Sequence, residues 1–190
     1  MSHALAYVVT ELAPNMSMLE DILLPWHEYE STGYDEYTEE IDMTDEVFAS
    51  WNSMTTEEKD EYENDIVRYN DDNYNYIARY FSENELRFYN KTNPNAKWDW
   101  WVPGGRFSGV LYDKTGANDF DCLIKKDIDI NKSMQPFALI YEGEWHEVGE
   151  LGWWGCIHDE KSKDDWGEEF KTIWESIPDN YYITVVDYHI

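Results

Sequence analysis

The chain has 190 residues, with 41 Asp and Glu against 14 Lys and Arg, for a formal net charge of −27; a field of that sign opposes direct binding to nucleic acid and attracts basic surfaces. Hydrophobic residues make up 42 %, which excludes disorder by composition, and two cysteines, Cys122 and Cys156, exclude a disulfide framework or a zinc ribbon. No apolar run approaches the ~20 residues of a membrane helix.

The first residues lack the basic and long apolar regions of a signal peptide. They read instead as a strand over 4–10, closed by the turn-like Ala13-Pro14-Asn15. Residues 16–24 fit a short helix stopped by Pro25. An acidic stretch from Asp35 to Asp42 follows, without a clear period. Residues 44–81 carry the strongest helical pattern, with Thr44 as N-cap of a short helix through Trp51. Thr55-Thr56-Glu57-Glu58 fits a capping box, and Tyr62, Ile66, Tyr69, Tyr76, Ile77 and Tyr80 then fall on one 3.6-residue stripe. Arg68 stands where it can pair with Asp72.

After Arg87 short β-prone runs alternate with turns: Asn93-Pro94-Asn95, Pro103-Gly104-Gly105 and Thr115-Gly116. Residues 106–112 suggest a strand, and residues 137–148 a hairpin turning at Glu142-Gly143. Residues 164–176 read as a helix with Trp166, Phe170, Ile173 and Trp174 inward, and residues 181–189 as the best strand in the chain. The expected fold is α+β, a single domain over residues 1–190. It has a mostly antiparallel sheet, an acidic helical region at about 44–81 and a C-terminal helix. Ten Trp and fifteen Tyr imply a core built on aromatic rings.

Two arrangements carry chemistry. The first is the acidic face. Residues 1–86 hold 22 acids against Lys59, Arg68 and Arg79, while residues 87–136 hold 6 acids and 8 bases. Glu39, Glu40, Asp42, Asp45 and Glu46, with Glu57, Glu58, Asp60, Glu61, Glu63, Asp65, Asp71 and Asp72, would supply the field that a basic groove meets, and on the helix at 55–81 the acids on successive outer turns would imitate consecutive phosphates, because helix neighbours lie ~5–6 Å apart. A coat of solvated charge is the alternative use of the same residues, although −27 is far beyond the ~2–8 that solubility asks of a small domain.

The second arrangement is a pocket. Asp187 and His189 share one face of the last strand, where His27 with Glu28 could meet them. Trp98, Asp99, Trp100, Trp153 and Trp154 could form a platform for a sugar or a base, with Arg106 beside it. A Trp-rich core is the alternative. No spacing matches a metal signature, and no Ser or Cys sits in a nucleophile motif, so neither a metal nor another cofactor is expected. Gly104-Gly105 lacks the spacing of a phosphate loop and suits a tight turn.

Several blocks together resemble a family of phage, prophage and plasmid proteins. They are Leu24-Pro25-Trp26-His27-Glu28-Tyr29-Glu30-Ser31-Thr32-Gly33, Asn93-Pro94-Asn95-Ala96-Lys97-Trp98-Asp99-Trp100-Trp101 leading into Gly104-Gly105-Arg106, Gly149-Glu150-Leu151-Gly152-Trp153-Trp154-Gly155, and Thr184-Val185-Val186-Asp187-Tyr188-His189-Ile190. The chain departs from that pattern at Ser31 and Tyr188, where relatives tend to carry Cys. The resemblance implies mobile-element origin, hence the cytoplasm of a bacterial host, rather than a particular activity. In size, acidity and family context the chain is also similar to anti-CRISPR proteins, with a type I-C system as the implied target.

The resulting expectation is a counter-defence inhibitor rather than an enzyme. It would dock its acidic face on the basic nucleic-acid-binding surface of a host CRISPR effector, without touching nucleic acid or membrane. The alternative is a nucleotide- or sugar-binding protein or enzyme using the Trp/His/Asp pocket.

Overall fold

The computed structural model describes residues 2–28, 36–53, 55–57, 76–82, 85–151 and 156–190. The chain is α+β, with a mostly antiparallel sheet. It forms two compact units: Met1–Leu24 with Lys97–Ile190, and Pro25–Ala96.

The first unit is built on β1 (His3–Thr10) and β11 (Tyr182–His189). They pair antiparallel over their full length, from His3 opposite His189 to Thr10 opposite Tyr182. On its other side β1 pairs in parallel with β7 (Ala138–Tyr141), which turns back into β8 (Glu144–Glu147). The free side of β11 is shared by two short strands. One is β6 (Cys122–Ile124), along Tyr182–Thr184; the other is β5 (Trp100–Pro103), along Val186–His189. The order β5-β11-β1-β7-β8, with β6 beside β11, leaves β1 and β11 central, while β9 (Glu150–Leu151) and β10 (Ile157–His158) pair separately as a two-stranded antiparallel sheet. The two central strands are accordingly buried on both faces and read as near-continuous apolar runs.

Along one face of the central pair the rows run His3, Leu5, Tyr7, Val9 in β1 and His189, Asp187, Val185, Ile183 in β11, since side chains alternate with period two. The apolar members join Leu111, Ile128, Leu139 and Ile177 in the main core, together with Trp166 and Phe170 of the last helix. That helix, Lys163–Ser176, is the expected C-terminal helix, and its four aromatic and apolar residues point inward as expected. Ser162 caps it by accepting the Asp165 N–H, while Asp164 and Asp165 place negative charge at its N-terminal end. The Trp166 indole N–H donates to the Pro136 carbonyl, 3.0 Å away, so its one polar atom is satisfied in the core.

The β7–β8 hairpin turns where expected. Glu142 and Gly143 have φ of 53° and 78°, the paired left-handed conformation of a two-residue hairpin turn. The short helix near the start, α1 (Met16–Leu23), is capped by Asn15, whose side-chain oxygen accepts the Met18 N–H. Pro25 then falls in a 3₁₀ turn, Leu24–Trp26.

The second unit holds β2 (Glu39–Asp42), α2 (Thr44–Ser53), β3 (Tyr76–Ser82) and β4 (Glu85–Thr92), with the strands ordered β2-β4-β3 and antiparallel. The buried Asn93 closes it. Its amide donates to the carbonyls of Pro25 (2.8 Å) and His27 (2.9 Å), and its side-chain oxygen accepts the Asn95 N–H.

Three expectations are corrected. Residues 76–81, assigned to the helical stripe, are strand, paired from Tyr76–Asn90 to Ser82–Glu85. Tyr76, Ile77 and Tyr80 suit either period, and pairing with the next strand decides. Residues 106–112 are not a strand: Gly105–Phe107 is a 3₁₀ turn, and Gly104, Gly105 and Gly109 all have positive φ, which breaks the extended run. Thr44 begins its helix rather than capping it, and Asp42 Oδ1 accepts the Thr44 N–H at 3.0 Å. The part of the expected acidic helix at 58–75, including the Arg68–Asp72 pair, lies outside the described residues.

Candidate functional site

The polar end of the β1–β11 face is a cluster of two histidines and two aspartates. Asp187 lies one pairing step from His3, because its own cross-strand partner is Leu5. Its carboxylate is 1 % exposed, and each oxygen holds a partner. Oδ1 is 2.8 Å from His3 Nδ1, and Oδ2 accepts the backbone N–H of Arg106 at 2.9 Å. The second dyad forms where β5 meets β11. The Asp99 N–H donates to the His189 carbonyl, and Asp99 Oδ1 is 2.5 Å from His189 Nδ1. Trp100 pairs with His189 in register. The two imidazole centres are 5.0 Å apart, and the Trp100 ring, half exposed at 50 %, meets His3 edge-on at 6.1 Å.

A carboxylate only accepts hydrogen bonds, so each neutral imidazole must donate from Nδ1 and carry its lone pair on Nε2. Both histidines therefore offer the same atom. His189 is a buried residue, and its Nε2 has no hydrogen-bond partner among the described residues.

The Gly104-Gly105 turn is required by the carboxylates it crosses. A Cβ on Gly105 would stand 2.6 Å from both Cβ and Oδ2 of Asp187, and one on Gly104 would stand 2.3 Å from Asp121 Oδ2. Only glycine lets the chain come close enough for the Arg106 N–H to reach Asp187. The turn is anchored below by Gly104 N–H to the Val185 carbonyl and by Val185 N–H to the Asp121 carbonyl.

On the opposite face of β11, the Tyr188 ring stacks edge-on against Trp145 at 5.3 Å. Glu147 accepts the Trp145 indole N–H and pairs with Lys97 at 2.7 Å. Burial, reinforced by the Glu147 charge, pushes the Tyr188 phenol well above its usual range. Burial likewise raises the Cys122 thiol, which suits a structural rather than a reactive cysteine.

Of the pocket residues read from sequence, Asp99, Trp100, Asp187 and His189 come together, joined by Arg106 through its backbone while its side chain is exposed. Trp98 is buried instead, donating its indole N–H to the Leu23 carbonyl, so it serves the core. His27 and Glu28 belong to the second unit, where burial lowers the His27 pKa. Trp153 and Trp154 lie outside the described residues. His3, which sequence reading left unassigned, completes the cluster. Among the described residues no group of three or more His, Cys, Asp or Glu is arranged to hold a metal.

Of the acidic set, Glu39, Glu40, Asp42, Asp45 and Glu57 are exposed, the first three on β2 at the edge of the three-stranded sheet. Glu46 lies within α2. Glu58, Asp60, Glu61, Glu63, Asp65, Asp71 and Asp72 fall outside the described residues.

No family model matches the chain, and no curated protein or solved structure matches it either.

Proposed function

We propose that this chain is a small-ligand protein that binds a nucleotide or a sugar at the His3–Asp187 and His189–Asp99 cluster. The observation that carries this reading is the fixing of two imidazoles through Nδ1, side by side, next to a half-exposed tryptophan. Trp100 offers a flat face for a base or a sugar ring, and the two Nε2 atoms accept hydrogen bonds from hydroxyl or amino groups. A net charge of −27 disfavours long polyanions, so the ligand is a small one. An imidazole held by a buried carboxylate is also the arrangement of a general base, which makes acid–base chemistry on that ligand available.

The test is saturation-transfer NMR of the whole chain against panels of mononucleotides and monosaccharides. At least one should bind, and His189→Ala and Trp100→Ala should each abolish the signal, while Glu39→Lys with Glu40→Lys should leave it. Absence of binding in both panels, or binding that survives both site substitutions, refutes the reading.

A second reading is favoured by the exposed carboxylates of β2. In it the chain is a mobile-element counter-defence protein, an anti-CRISPR, whose acidic face occupies the nucleic-acid groove of a host effector complex. Electrostatic association of that kind weakens steeply with salt. A purified complex whose affinity for the chain stays flat from low to high salt rules it out.

A further inference from the structure

We propose that His3 and His189 together bind a divalent transition-metal ion through their Nε2 atoms, with Asp187 and Asp99 as the carboxylates that orient the two ligands. Histidines that hold a metal almost always donate their other ring N–H to a carboxylate or carbonyl, which fixes the tautomer and raises the basicity of the ligating nitrogen. Both histidines here have that partner, at 2.8 Å and 2.5 Å. Their positions directly opposite one another on β1 and β11 put the rings side by side, with centres 5.0 Å apart. Two imidazoles bound at ~2.0–2.1 Å to one tetrahedral ion have ring centres about 5 Å apart.

The orienting shell is itself built. Asp187 is fixed from the far side by the Arg106 N–H, and Gly105 gives way for it. The buried Nε2 of His189 also needs a partner, since a buried polar atom left unsatisfied is costly and such atoms in native proteins are usually matched by water or an ion. Imidazole ligands select Zn²⁺, Ni²⁺ or Cu²⁺ over Mg²⁺ or Ca²⁺. With two protein ligands, the remaining positions belong to water or to ligand oxygens. The ion takes the Nε2 lone pairs that would otherwise accept hydrogen bonds from a nucleotide or sugar, so with the ion bound such a ligand would meet it at the remaining positions; the ion does not depend on the nucleotide or sugar reading, and it is measured with no such ligand present.

The experiment titrates the whole, tag-free chain with Zn²⁺ alone, by calorimetry and by long-range ¹H–¹⁵N spectra of the histidine rings. One ion per chain should bind, and the Nε2 signals of His3 and His189 should move together while those of His146 and His158 stay. Before Zn²⁺ is added, both site rings should show the Nδ1–H tautomer. His3→Ala and His189→Ala should each remove the stoichiometric binding, and Asp99→Asn should weaken it by about 10–100-fold. If the parent protein's His3 and His189 signals do not move at saturating Zn²⁺, the proposal is overturned, whatever the variants do. Undiminished binding in folded His3→Ala overturns it as well. Ligand binding without metal binding would leave the small-ligand reading standing and remove this one.

Discussion

Tyr7 and Val9 on β1, with Ile183 and Val185 on β11, close one end of the central ladder as part of an apolar core against Trp166 and Phe170. At the other end of the same rows stand His3, Asp187 and His189. Backbone pairing is continuous from one end to the other, so the ladder cannot account for the difference. What differs is what the side chains meet: aromatic rings at one end, and at the other a carboxylate, a backbone N–H from a glycine turn and the half-exposed Trp100. The rigid apolar end fixes the geometry that the polar end uses, a division that suits precise sites placed on strands rather than loops.

The largest expected effect comes from alkali, acting on Tyr7 at the apolar end and on Tyr188 on the opposite face of β11. Burial pushes the Tyr7 phenol far above its ordinary value of 10.0, and Tyr188 moves the same way. Folded, both phenols stay neutral; unfolded, they ionise near pH 10, so the unfolded state binds fewer protons. Stability is therefore full below pH 10 and falls as pH rises beyond it, by about 1.4 kcal/mol per pH unit for each phenol. Urea midpoints across pH 9 to 12 would show the slope, and Tyr7→Phe should make it shallower. An unchanged slope in that variant would show that Tyr7 is not sealed.

Trp166→Ala comes next. It removes a buried indole and its bond to Pro136, and should cost about 3–5 kcal/mol in denaturant unfolding. Gly105→Ala should cost less, about 2–3 kcal/mol, through a left-handed backbone and a Cβ 2.6 Å from Asp187. Its more telling readout is the His3 ring: the Nδ1–H signal should shift as Asp187 is displaced, whereas Trp166→Ala, where folded, should leave that signal in place. A shift in both would show that the two ends are not separable. Ser162→Ala should have the smallest effect, about 1 kcal/mol, by uncapping the last helix, with the histidine signals unaltered.

Much of this ladder is readable in the sequence. The last strand, the C-terminal helix with its inward rings and the hairpin at Glu142-Gly143 follow from period and turn chemistry. Asp187 and His189 share a face by simple alternation. His3 is different. Its role comes from register with a strand 186 residues later in the case of His189, and from a hydrogen bond spanning 184 residues in the case of Asp187. Nothing local marks it, except that it continues the Leu5, Tyr7, Val9 alternation with a polar residue. The Gly104-Gly105 turn was legible as a turn, but not as a close approach to two carboxylates, because those come from β11 and from the residue before β6. Residues 76–81 misled because Tyr76, Ile77 and Tyr80 satisfy a helical stripe and a strand pattern alike, and only the partner strand decides.

The pairing of β1 with β11 also has a bearing on biosynthesis. β1 is made well before β11, and this full-length antiparallel neighbour emerges only after the second unit and nearly all of the first have been translated. A nascent chain therefore carries an apolar strand without its main partner for most of its elongation, a state prone to aggregation and a natural client for chaperones. A premature stop anywhere before Asp187 would yield a product lacking the histidine dyads altogether, so only a chain translated through β11 can assemble them.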